Sequence, residues 1–318
     1  MKKFNNKYLP KIKKINVFEA VNKQVTDGLK KTGMSWFKAW TDSNGNIQDP
    51  INRCTKRGYN GVNIFILNAT ASVEGYPSNE WVSFAEAKKL GSNVKKGEKS
   101  TMIVYWNIAF MVKDKWFPNL TALNKAGYTE DDAKKLFTLK QFRVFNIAQC
   151  ENLTACREIP TESEDNLDIQ PIESAEAIVN GYKNAPKIIE RPQGSAYYTP
   201  MRDIITMPTR EQFVERTSID DFYKVLFHEM IHSTGHSSRL DRKLVGVTAD
   251  KVSYSKEELI AEIGAMYLTS IAHLNPQDHE RQSQAYINGW IKFIKSSHEK
   301  ALISAMTKAR QGVDLILK

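Results

Sequence analysis

The sequence predicts an α+β protein of two domains, divided near residue 150. Length is the first ground: 318 residues, 41% hydrophobic and 25% charged, suffice for two domains each with its own core. Charge is the second. Residues 1–150 hold 25 Lys+Arg against 12 Asp+Glu, or +13, whereas residues 151–318 hold 20 against 24, or −4, within a total of +9. The third is the stretch ENLTACREIPTESEDNLDIQPI, which is acidic, proline-containing and without periodicity, as a linker is. The predicted division is therefore 1–150, a linker over 151–172, and 173–318. All six histidines lie in the acidic half, which suggests a polyanion-binding module beside a metal-chemistry module.

In the first half, Ile15, Phe18, Val21, Val25 and Leu29 recur at helical spacing, so residues 15–30 are predicted as an amphipathic helix ending at Gly33. A tryptophan- and turn-rich loop follows, then a helix over 61–73, and EWVSFAEAKKLG reads as a short strand entering a helix. TMIVYWNIAFMV is rich in β-branched and aromatic residues and predicts a strand, paired through the turn KDK with KWF. TEDDAKKLF is expected to be helical, and LKQFRVFNIAQC to close a small antiparallel sheet. The second half opens with a helix at SAEAIVNGYK. Strands at PKIIE, SAYYTP and DIITMP follow, then helices over about 218–234, 256–273 and 279–309.

Several classes are excluded. No stretch approaches the ~18 apolar residues that cross a bilayer, and the basic N-terminus leads into no apolar signal core, so a cytoplasmic protein with no membrane partner is expected. Cys54, Cys150 and Cys156 fit neither a disulfide framework nor a zinc ribbon and are expected to be core thiols.

The run SIDDFYKVLFHEMIHSTGH contains His-Glu-x-x-His at residues 228–232. Ser218 with Asp221 resembles a helix start, and Gly235 suits the stop. Residues four apart lie about 40° from each other around a helix, so His228 and His232 share a face and can hold one ion. Glu229, the next residue round, is placed as general base toward water acidified there. The ion expected is divalent, Zn2+ by preference with Mn2+ as the alternative. A tetrahedral site needs a third protein ligand. His236 is one candidate, but Gly235 breaks the helix before it. Glu258 and Glu262 again lie four apart on the next helix, SKEELIAEIGAMYL. The gluzincin pattern makes Glu258 the ligand and Glu262 the group that orients a histidine, with the reverse assignment as the alternative; Glu257 is expected to face solvent. SAYYTPMRDIITMP is positioned to supply a substrate-binding edge strand, on which Tyr197 or Tyr198 either polarises a carbonyl or packs on the helix. His273, His279 and His298 match no ligand spacing.

Residues 34–63 mix Trp36, Phe37, Trp40 and Tyr59 with Lys38, Arg53, Lys56 and Arg57; Trp81, Tyr105 and Trp106 follow, with Lys95, Lys96 and Lys99 between them. Cations that track phosphates beside aromatic faces that stack on bases are the ingredients of single-stranded DNA binding. The competing reading is that most aromatics are core, as expected for Phe84, Phe110 and Phe142.

The runs SWFKAW, RGYNGVNIFIL, WVSFAEAKKLGSNVKKGEKSTMIVYW and FRVFNIAQ resemble the single-strand DNA-binding domain of ArdC-type antirestriction proteins, and the N-terminal region of TraC-type conjugative primases. AYYTPMRDIITMP, FHEMIHSTGHSSRLDR and YSKEELIAEIGAMYL resemble the zincin-like, gluzincin-type metallopeptidase domain that follows. SWFKAW lacks the prolines that family members carry around the tryptophans. The resemblance implies a plasmid or mobile-element protein that binds the entering single strand and protects it from host restriction, self-contained and without a primase domain. Two alternatives stand beside it: a DNA-localised metallopeptidase acting on a host or plasmid regulatory protein, and a single-strand binder with a catalytically silent metal domain.

Overall fold

The structure, a computed structural model, describes residues 16–41, 47–156, 171–244, 251–276 and 284–318. The first element is helix α1 (Val17–Thr32), begun by the Asn16 side chain, which accepts from the Phe18 N–H, and ended at Gly33. It buries Val21, Val25 and Leu29, each four residues from the last. A 3-10 turn over Gly33–Phe37 then folds Trp36 back onto α1, where any side chain on Gly28 would collide with the indole ring. Strand β1 (Ile51–Asn52) precedes α2 (Val62–Glu74), which is apolar on nearly every face and correspondingly buried. β2 (Glu80–Val82) runs into α3 (Phe84–Lys89) through a Ser83–Glu86 capping box.

The long strand β3 (Thr101–Val112) turns through Lys113 and Asp114 into β4 (Lys115–Phe117), then α4 (Leu120–Lys125) leads to β5 (Lys134–Asn146). The five strands order as β1-β2-β5-β3-β4, antiparallel except for the β1–β2 pair. The expected helix over TEDDAKKLF does not form. Its second half is drawn into β5, which pairs with β3 from Met111↔Lys134 to Thr101↔Val144, and this long ladder outweighs local helix preference. The helix forms instead over 120–125, where Asn119 accepts from the Ala122 N–H.

The second domain opens with α5 (Pro171–Gly181). Strands β6 (Lys187–Glu190), β7 (Tyr197–Thr199) and β8 (Ile204–Met207) form a sheet of order β6-β8-β7, so β7 is an edge strand antiparallel to β8. Helices α6 (Arg210–Arg216), α7 (Ile219–Ser233), α8 (Lys251–Ile271), α9 (Gln284–Ser296) and α10 (Ala301–Ile316) follow. The helix expected over 279–309 is thus two helices, separated where the His298 ring accepts from the Lys300 N–H.

The expectation of separate cores is corrected. One apolar cluster runs from Val21, Phe37 and Phe65 to Phe227, Tyr267 and Met306. Phe37, Phe65 and Tyr267 stack edge to face across the seam, with ring centroids 6.0 and 5.5 Å apart. Beside them Arg310 donates to both carboxylate oxygens of Asp49, at 3.1 and 2.7 Å, and to the Tyr267 hydroxyl at 2.9 Å. Of the cysteines only Cys150 is a core thiol, while Cys54 and Cys156 are half-buried. Linker residues 157–170 lie outside the described residues. No helix among those described is long and apolar enough to cross a membrane.

Candidate metal centre and nucleic-acid face

Helix α7 starts where the Ser218 side chain accepts from the Asp221 N–H, and its core face buries Phe222, Leu226, Phe227 and Ile231. It lies against α8 at very short range: a Cβ on Gly264 would sit 2.6 Å from the end of Ile231. That approach brings the carboxylates of α8 onto the histidines of α7. The Nε2 atoms of His228 and His232 are 3.1 Å apart, and the Glu258 carboxylate stands 3.5 Å from each. Ligands ~2.0–2.1 Å from a tetrahedral ion are about 3.3 Å apart, so the three donors have the spacing of a zinc-type site. His228, His232 and Glu258 form the group whose ligand atoms all lie within 4.8 Å of one another. Glu229 follows His228 on α7 and is 8% exposed.

The far sides of both rings also meet carboxylates. Glu262, buried, places Oε1 3.6 Å from Nδ1 of His228, and Glu257 places Oε1 3.4 Å from Nδ1 of His232. Glu257 therefore does not face solvent, contrary to expectation. Arg242, in the loop after α7, holds it through contacts of 2.6 and 3.2 Å, while also donating to the Ile231 carbonyl and the Thr234 hydroxyl at the helix end. Burial works to raise the Glu257 pKa, but the bonds from His232 and Arg242 outweigh it and hold the carboxyl below its ordinary value. For His232 burial works downward, and the acids Glu257, Glu229 and Glu258 overcome it and raise the imidazole pKa.

Arg239 does for the β7–β8 turn what Arg242 does for Glu257. It donates to the Ser233 carbonyl at 2.8 Å and pairs with Asp203, whose other bond is from the Tyr198 hydroxyl at 2.7 Å. The turn between β7 and β8 is thereby tied to the end of α7. Tyr198 is engaged in that cluster and Tyr197 accepts from Arg191 at 2.7 Å, so both phenols have partners away from the histidines. His236 bonds Ser238 at 2.8 Å; His273 and His298 are exposed, and His279 lies outside the described residues. Sequence reasoning missed Glu257, Arg239 and Arg242. A signal for the arginines was available, since two cations three residues apart just beyond a helix C-terminus suit its free carbonyls.

The aromatic candidates of the basic half divide sharply. Trp36, Trp40, Tyr59 and Trp81 are 5%, 4%, 4% and 0% exposed and belong to the core, so their faces are closed to a base. Arg53 is half-buried, paired with Glu80 at 3.3 Å. Lys38, Lys56, Arg57, Lys95 and Lys96 are exposed, Lys95 also donating to the Ala148 carbonyl. Trp106 is 49% exposed, with Tyr105 at 45% and Phe142 at 48% beside it on the β3–β5 ribbon. Phe142 and Phe84, expected in the core, are exposed, whereas Phe110 is buried as expected. The register sets Tyr105 opposite Lys140, Ile103 opposite Phe142 and Met111 opposite Lys134 and Trp116, so one face carries three exposed aromatics and two lysines. Tyr105 and Phe142 meet edge to face at 5.5 Å, while Trp106 points to the opposite face, 6.0 Å from Phe18.

Both halves match known families: residues 15–145 the N-terminal domain of anti-restriction factor ArdC, and residues 173–308 a zincin-like metallopeptidase. The chain is similar over 95% of its length to crystal structures of the antirestriction protein ArdC from plasmid R388. Identity is 29%; the Mn(II)-bound form has a TM-score of 0.66 with 97% of that chain covered, and the metal-free form 0.65 with 96% covered. It is 28% identical to an uncharacterized protein, y4eC, of Sinorhizobium fredii, over 94% of this chain and 91% of that one. It is 30% identical to a DNA primase TraC of Escherichia coli over 87% of this chain, which spans only 18% of the primase's length.

Proposed function

The chain belongs to the ArdC-type antirestriction family, and we propose that it binds single-stranded DNA on the β3–β5 ribbon and carries a divalent-metal peptidase centre between α7 and α8, the two together protecting incoming DNA from restriction. The observation that carries this reading is the convergence of His228, His232 and Glu258 at ligand spacing beside Glu229, in a domain that shares its core with the DNA-binding half. His228, His232 and Glu258 are the ligands, Glu262 and Glu257 orient the two imidazoles, and Glu229 is the general base. A divalent ion held by these three residues, Zn2+ or Mn2+ as in the R388 relative, would supply Lewis-acid chemistry, acidifying water and polarising a carbonyl. Glu229 accepts the proton, and the edge strand β7 offers unpaired backbone groups to an extended peptide.

On the other domain, Tyr105, Phe142 and Trp116 stack on bases while Lys134 and Lys140 meet phosphates. The roles proposed for Trp36, Trp40, Tyr59 and Trp81 from sequence are not carried forward. Glu229→Gln keeps the ligands and removes the base. Comparing plasmid protection and new protein N-termini in host lysate for native and variant chains tests the whole. Loss of both supports the coupled reading, new termini without any effect on protection would assign the peptidase to a separate regulatory target, and unchanged protection with no Glu229-dependent termini would leave the metal domain as a scaffold.

A further inference from the structure

Between α1 and the turn that joins α9 to α10 lies a cavity of about 490 Å3, a size suited to a small ligand. Two atoms in its wall lack partners. The Asn22 side chain of α1 donates through Nδ2 to the Glu299 carbonyl at 3.2 Å, and because a carbonyl can only accept, this bond fixes which end of the amide is Oδ1. That Oδ1 is buried with no hydrogen-bond partner, and so is the Oγ of Ser297, just beyond the end of α9. Buried polar atoms are ordinarily hydrogen-bonded, so an acceptor and a hydroxyl in the wall of one cavity mark a place for a ligand that offers a donor beside an acceptor.

The two ends of the cavity differ in charge. Along α1 its wall runs from Glu19 through Asn22 to Lys30, a length of about 16 Å. At the Lys30 end, the bond from Lys23 and the nearby charges of Lys30 and Lys295 hold the Asp27 carboxyl below its ordinary value, so three lysines gather round one carboxylate. At the other end stand Glu19 and Glu299, the latter accepting from the Asn16 amide at 2.6 Å. A ligand lying along the cavity therefore meets cations first, then neutral hydrogen-bonding groups, then acids.

We infer that this cavity binds a nucleotide, with its phosphate among Lys23, Lys30 and Lys295 and the Watson–Crick edge of its base against Asn22 and Ser297. Every base carries on that edge a donor next to an acceptor, which is the pair that Oδ1 and Oγ lack. An edge already paired in a duplex is closed to them. The same chemistry has two sources, a free mononucleotide or an unpaired residue of a single strand. None of the lining residues belongs to the metal centre or to the ribbon face proposed to stack on bases, so the inference rests on neither.

The test uses the full chain, titrated with thymidine monophosphate, with its N3-methyl derivative, whose edge donor is blocked, and with deoxyribose 5-phosphate, which has no base. Ser297→Ala removes a hydroxyl that bonds nothing in the protein, and Lys30→Glu/Lys295→Glu alters exposed side chains only. Binding of thymidine monophosphate that weakens about tenfold on N3-methylation and again in Ser297→Ala, with the lysine variant weakening the base-free phosphate as well, supports the inference. Displacement of the mononucleotide by a single-stranded oligonucleotide and not by a duplex assigns the site to the strand; no displacement by either assigns it to a free nucleotide. Absence of mononucleotide binding, equal affinity for thymidine monophosphate and deoxyribose 5-phosphate, or binding that Ser297→Ala leaves unchanged overturns the inference. So does displacement by the duplex, since a paired edge cannot enter. The ribbon reading fails separately, through Tyr105→Ala and Phe142→Ala chains that keep full single-strand affinity, whatever the mononucleotide does.

Discussion

Helices α7 and α8 bury what proteins usually expose, and the β3–β5 ribbon exposes what they usually bury. Between the helices, His228, Glu229 and Glu262 are 6%, 8% and 3% exposed. On the ribbon, Tyr105, Trp106, Phe137 and Phe142 are between 45% and 59% exposed. Both arrangements carry a cost, in desolvated polar groups at one place and hydrated rings at the other. The difference separates two kinds of proposed partner: a cation would offset the buried acids and imidazoles, and flat apolar groups flanked by phosphate would cover the exposed rings. The four sequence candidates with closed faces, Trp36, Trp40, Tyr59 and Trp81, are ordinary core residues by the same measure.

The sharpest way to break this comparison is at Glu229. Glu229→Gln is expected to slow cleavage of the protein identified from Glu229-dependent N-termini by about 10²–10⁴-fold, with metal content and DNA affinity unchanged. Trp81→Ala comes next, expected to destabilise the chain by about 3–5 kcal/mol in urea unfolding. If it instead weakens DNA binding with stability intact, the division between core and ribbon aromatics fails. Glu257→Gln is expected to lower metal affinity about 10–100-fold in chelator competition and leave oligonucleotide binding alone. Tyr105→Ala and Phe142→Ala are each expected to lose about 1–3 kcal/mol of single-strand affinity without loss of metal, while equal losses on duplex DNA would remove the stacking argument.

The smallest effect concerns acid. Burial works to raise the Asp203 pKa, but bonds from Arg239 and Tyr198 outweigh it and hold the carboxyl below its ordinary value. A depressed folded-state pKa contributes stability above the unfolded value of about 3.9, and that contribution is lost as pH falls through the folded value. Asp203→Asn should therefore lower stability by about 1 kcal/mol at neutral pH and flatten the acid limb below about pH 4. An unchanged limb would show that the β7–β8 turn is held by other contacts.

Local pattern was enough for much of this. The helical recurrence from Phe18 to Leu29, the strand-to-helix run EWVSFAEAKKLG and the β-branched run at 101–112 each became the element they imply, because short-range periodicity is decided within a few residues. TEDDAKKLF failed for the converse reason: its preference is local, and the β3 ladder that captures Lys134 onward is more than twenty residues away in sequence. Glu257 was misread similarly, since its partner Arg242 reaches it from a separate loop.

By itself the sequence determined the α7 helix, its cap and the placing of His228 and His232 on one face, because four residues along a helix is a fixed rotation. It also determined the charge contrast between the halves. Only the tertiary structure decided which acid of α8 meets both Nε2 atoms, which aromatics remain outside, and that the two domains close over one core. Those outcomes depend on helix separation, strand register and the contact made at Gly264, distances set by packing between elements remote in the chain.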